Sequence, residues 1–125
     1  MISDEKSSRV HRILGVGIAT LDVINEVSGY PAEDEEVRAL GHRVRRGGNA
    51  TNTLVVLAQL GHHCFWAGTL GDDPQSGEIL SDLERYGVDT ALCVRYTGGR
   101  TPTSYVTLSH STGSRSLWLG HLTAF

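Results

Sequence analysis

Apolar residues fall in short blocks along this chain, and the spacing inside each block predicts an element. Ile13 to Ile18, ILGVGI, is an apolar run broken by two glycines, too short and too glycine-rich for a helix, and predicts a core strand. NEVSGYPAEDEEV carries a glycine, a proline and the acidic run Glu33 to Glu36, and reads as a loop with a solvated face. In VRALGHRV, Val37, Ala39 and Val44 stand among polar residues, which predicts a half-exposed strand. A helix follows over about Ala50 to Leu60, with Gly61 placed to end it in the left-handed conformation. Leu54, Val55, Val56, Leu57, Ala58 and Leu60 leave it almost no polar face, so it is expected to be buried. HHCFWAGTLG predicts a second core strand. DDPQSGEILSDLERYG predicts a surface helix with an aspartate cap and Pro74 in its first turn. Its stripe is Ile79, Leu80, Leu83 and Tyr86, and its stop is Gly87. TALCVRY, TSYVTLS and SRSLWLG predict three more strands, the last two joined by a turn at HSTG.

Strands alternating with helices imply an α/β layered fold with a mainly parallel sheet, and the exposed strand and late hairpin imply a small antiparallel accessory. Composition narrows the picture. Apolar residues are 39% of the 125, and glycine is frequent at 15, so a turn-rich folded chain is expected. The net charge of −3, without a basic cluster, argues against a nucleic-acid partner. Cys64 and Cys93 are isolated, as expected of reduced thiols. The charged start MISDEKSSRVHR lacks an apolar signal core, and no apolar run is long enough to span a bilayer. A cytoplasmic chain with a disordered lead-in over residues 1–10 and a single domain over 11–125 is the expectation.

Several groups of residues invite chemistry. GVGIATLD lacks the third glycine of a dinucleotide fingerprint, since Thr20 stands in its place, so its glycines read as packing sites. Asp22 is expected just past the first core strand, where open α/β sheets bind ligands; it suits a pair of sugar hydroxyls, or else a turn or cap. In RRGGNATN, Gly47 and Gly48 allow close backbone approach, while Asn49 and Asn52, three apart, share a helix face. Their amides both donate and accept, which matches hydroxyls; the plainer alternative is capping. Arg115, in STGSR, is either a surface arginine or a guanidinium aimed at phosphate. His62 and Cys64 could share a strand face but His63 could not, so HHC makes no metal site, and no metal ligand is assigned. Asn49-Ala50-Thr51 also fits a glycosylation acceptor, a coincidence in a chain without a signal segment.

From Ile13 to about Leu119 the chain resembles the N-terminal part of the ribokinase-like (PfkB-type) sugar kinases, and within them the ketohexokinase branch. GGNATN followed by GDDPQSGEILSDLERYGVDT carries the resemblance. It implies that Asp22, Gly48, Asn49 and Asn52 hold a ketose such as fructose and that Arg115 contacts nucleotide phosphates. It also implies lid strands within 22–45 and 92–120 that clasp a second subunit in a homodimer. ATP and Mg are the implied cofactors. The family's catalytic aspartate, in a late Gly-Ala-Gly-Asp motif, is not in these 125 residues, so no catalytic residue is assigned. Without base, anion hole and metal site the chain alone is expected to be inactive. The alternatives are a non-catalytic module that binds sugar or pairs with a subunit, and a remnant that exposes an apolar face.

Overall fold

The computed structural model describes residues 9–121, so most of the expected lead-in, residues 1–8, lies outside the described residues. In chain order the elements are β1 (Arg12–Val16), β2 (Thr20–Val27), β3 (Gly41–Gly47), α1 (Asn49–Gln59), β4 (His63–Gly71), α2 (Pro74–Arg85), β5 (Asp89–Tyr96), β6 (Thr103–Ser109) and β7 (Arg115–His121). They form two sheets. One is parallel, in the order β1-β4-β5; the other is mixed, in the order β3-β2-β6-β7, with only β2 and β6 parallel.

The core lies between the parallel sheet and the two helices. Trp66, Cys64 and Leu70 of β4 alternate inward toward Leu54 and Val55 of α1 and Ile79 and Leu83 of α2, and Leu21 joins them from β2. Trp66 is 0% exposed, and its indole N–H donates to the Gly17 carbonyl at 3.0 Å, so the largest core residue leaves no polar group unpaired. A side chain at Gly15 would strike Leu54, and one at Gly17 would strike Ala50. The two glycines are therefore packing sites that bring β1 close to α1, as the missing fingerprint implied.

Both helices end as their glycines require. Gly61 has φ 99° and Gly87 has φ 80°. At α1, His62 N–H donates to Leu57 O and Gly61 N–H to Ala58 O; at α2, Val88 N–H donates to Leu83 O and Gly87 N–H to Glu84 O. Each pair is a Schellman closure, which satisfies carbonyls the helix cannot. At the other end of α2, Asp73 caps: its Oδ1 accepts from Ser76 N–H at 3.2 Å, and Pro74 occupies the first turn.

Asp73 does more than cap. Its Oδ2 accepts from Thr101 N–H at 2.7 Å and its Oδ1 from the Thr101 hydroxyl, which ties the start of α2 to the start of β6. Burial raises the Asp73 pKa, but these hydrogen bonds outweigh it and hold the carboxyl below its ordinary value. The stabilisation is thus complete above about pH 4 and lost as acid protonates the folded carboxylate. Asp73→Ala is expected to destabilise by about 1–2 kcal/mol and to flatten the acid side of the stability profile. Urea titrations at neutral pH and near pH 3 check this; equal losses at both would contradict it.

Several expectations need correction. The loop expected over NEVSGYPAEDEEV begins later, because β2 runs through Val27 and pairs with β3 and β6 on its two sides. Two neighbouring strands outweigh a weak local pattern. The expected strand VRALGHRV begins only at Gly41. Nor is α1 buried all round: Val56 is 54% exposed and Leu60, its C-cap, 69%, because its partners lie on one side only. The outer face of the parallel sheet is likewise open, with Leu14, Val16, Leu92 and Val94 all exposed.

Candidate functional site

The residues of interest meet where β2, β3 and the start of α1 converge. Asp22 lies inside β2, not in a loop beyond β1, in register with Arg45 of β3 and Ser104 of β6. Its Oδ1 accepts from the Thr20 hydroxyl at 3.1 Å. Its other oxygen lies over Gly47: a methyl group there would sit 2.5 Å from Asp22 Oδ2. The absence of a side chain at Gly47 is what makes room for the carboxylate. Asn49 is two residues on, so its Cα lies within about 12 Å of that carboxylate, by peptide geometry alone.

Gly48 shapes the junction. Its φ of 105° suits glycine, and a Cβ there would lie 2.3 Å from Ile18 O and 3.1 Å from Ala19 Cα. As the N-cap of α1 it offers no side-chain cap, which leaves first-turn N–H groups for another acceptor. The Thr51 hydroxyl is shared between the Gly47 and Gly48 carbonyls, at 2.9 and 3.1 Å, and pins the turn to the helix.

Asn49 and Asn52 differ in their surroundings. Asn49 is exposed, and among the described residues its amide has no hydrogen-bond partner, so it is not a cap. Asn52 Oδ1 accepts from Arg46 Nη1 at 2.8 Å. Arg46 also reaches Thr51 Oγ1 at 2.9 Å and, through Nε, Asp82 Oδ2 at 2.6 Å. Sequence reasoning missed Arg46. The available signal was its position, one residue before the glycine pair, but nothing local distinguishes it from Arg45.

Arg115 does not join this group. It opens β7 opposite Leu108, four residues along β6 from the Ser104 partner of Asp22, or about 13 Å along the sheet. It shares the sheet face of Asp22, because even spacings keep one face, and it is exposed. Among the described residues no three His, Cys, Asp or Glu side chains gather as a metal site. No described helix is long and apolar enough to cross a membrane.

The junction thus holds a carboxylate from β2, a helix start without a side-chain cap and, on the first turn of α1, the side-chain amides of Asn49 and Asn52. Comparison with known proteins bears on what this surface belongs to. Residues 10–121 match the family model described as pfkB family carbohydrate kinase. The chain is 39% identical over 108 residues to ketohexokinase of Mus musculus, covering 86% of this chain and 36% of that protein. It is 27% identical over 105 residues to ribokinase of Bacillus subtilis, covering 84% and 36% respectively. Ribokinase of Arabidopsis thaliana, solved with ribose and ATP, superposes with a TM-score of 0.75 at 25% identity, over 89% of this chain and 35% of that one. The chain therefore spans about a third of the length of these relatives. With the fold, the glycine-asparagine junction and the family match in agreement, this chain belongs to the pfkB family of carbohydrate kinases.

Proposed function

We propose that this chain forms the sugar-holding part of a ketohexokinase-like kinase. In it Asp22 accepts from neighbouring sugar hydroxyls, Gly48 and the start of α1 approach the ring closely, and Asn49 and Asn52 contact further hydroxyls. The observation that carries the reading is the Asp22 carboxylate seated on Gly47 at the foot of α1. On this reading a monosaccharide there takes an acceptor from the sheet and donors from the helix start. The likeness to mouse ketohexokinase supports a ketose, fructose or a near relative, over other diols.

The complete protein, on this reading, transfers a phosphoryl group from ATP to the primary hydroxyl of the ketose. ATP supplies the phosphoryl group. The residues here fit only its edge, since Arg115 alone has the phosphate role that the resemblance implies. No magnesium ligand is assigned among these residues. No chemical step is therefore assigned to these residues, whose part is to bind and orient. Phosphoryl transfer depends on positioning and electrostatics, so binding without the remaining machinery gives no turnover.

The lid reading takes β2, β3, β6 and β7 as the cover of the sugar. Tyr105 and Trp118, paired across β6 and β7, are well exposed, which supports a second subunit packing against that sheet.

Calorimetric titration with fructose and with ribose tests the proposal. Saturable heat with fructose, stronger than with ribose, is expected, alongside no ADP release above a buffer blank when ATP and fructose are supplied. No saturable heat with either sugar would refute it.

A further inference from the structure

We propose that Arg46 is a positioning residue that turns Asn52 into a fixed hydrogen-bond donor and so sets the donor and acceptor polarity of the sugar site. The inference rests on the sugar-site reading above. Arg46 lies on β3 opposite Leu21, with its side chain only 8% exposed. It joins three elements: its own strand, α1 through Thr51 and Asn52, and α2 through Asp82. Arg46 and Asp82 both line a cleft of about 450 Å³, together with Leu21, Val55 and Glu78. Asp82 also pairs with Arg85 of its own helix at 2.6 Å, so its two oxygens face two guanidiniums.

The consequence follows from hydrogen-bond inventory. A guanidinium only donates, so the Asn52 atom facing Arg46 has to be the oxygen. The amide NH₂ then points away from Arg46 and is polarised by the charge behind it. Asn52, whose amide would otherwise be free to present either end, has one lone pair of its oxygen taken by Arg46 and turns its NH₂ outward as a donor, while the Asp22 carboxylate accepts. A bound sugar is therefore expected to give a hydroxyl proton to Asp22 and an oxygen lone pair to the Asn52 NH₂. Lysine at 46 would not reproduce this, because one ammonium cannot span Thr51, Asn52 and Asp82 in a planar fork.

The test uses the uniformly ¹⁵N-labelled chain and the side-chain amide signals of Asn52, identified by their loss in Asn52→Ser. Without sugar, Arg46→Gln and Arg46→Lys are expected to move the Asn52 pair while leaving that of Asn49 in place. Fructose affinity is expected to fall about 10- to 100-fold, the loss of one charge-oriented hydrogen bond. Asp82→Asn keeps the side-chain volume and is expected to move the same signals, so it carries the test if an Arg46 variant does not fold. Asn52 signals unchanged in the folded variants would overturn the proposal. Shifted Asn52 signals in a chain whose unaltered form takes up no fructose would leave the role of Arg46 intact and overturn the sugar-site reading instead.

Discussion

Gly48→Ala is expected to lower the melting temperature by roughly 10 °C or more and to abolish ketose uptake. Two costs add. The backbone at Gly48 has φ 105°, where a side chain is strained by about 1–2 kcal/mol. The new methyl would also lie 2.3 Å from the Ile18 carbonyl and 3.1 Å from Ala19 Cα, both backbone atoms that a rotamer change cannot move aside. Overpacking of that kind costs about 1–3 kcal/mol. A chain of this size loses several degrees per kcal/mol. Relief requires the β1–β2 connection and the start of α1 to part, and that displaces Asp22 from Asn49. Thermal melting followed by circular dichroism, with calorimetry on the folded fraction, measures both effects. A shift below about 3 °C with sugar binding intact would show that the junction yields more easily than its geometry implies.

Asp22→Ala has the opposite profile: a large loss of binding with little loss of stability. Its carboxylate has one hydrogen-bond partner among the described residues, Thr20, and its register neighbour Arg45 forms no ion pair with it. Removing it leaves no unpaired charge, and the Thr20 hydroxyl can turn to solvent, so a stability change within about 0.5 kcal/mol is expected. Binding is another matter. Two hydroxyls donating to one carboxylate make charge-assisted hydrogen bonds of about 1.5–3 kcal/mol each. Fructose affinity should therefore fall roughly 100-fold or more. Asp22→Asn, which keeps shape and one acceptor, should fall between the two. Wild-type affinity in Asp22→Ala would remove the carboxylate from the site.

The helices were the most legible part of the fold. Their marks are local: Asp73 and Pro74 at one end of α2, Gly87 at the other, and the same glycine stop at Gly61. Strand β2, Thr20–Val27, was not read from the apolar pattern as an element at all. Asn25 and Glu26 have weak strand preference, and only pairing on both sides with β3 and β6 holds them extended. The exposure of Val56 and Leu60 was hidden too. Apolar spacing predicts which residues can be buried, whereas the set of neighbouring elements decides which are.

For the site, the chain's own residues determined the ingredients. Two glycines before paired asparagines, and an aspartate following a strand, are chemical features that need no partner to be read. Tertiary structure alone decided their use. It set Asp22 within a strand and against Gly47, left Asn49 open, placed Arg115 in another row of the sheet, and brought Asp82, 36 residues on, to Arg46 and thence to Asn52. The reason is physical. Local conformation depends on neighbours along the chain, but the direction of a hydrogen bond depends on which group lies across the gap, and only the packed fold supplies that group.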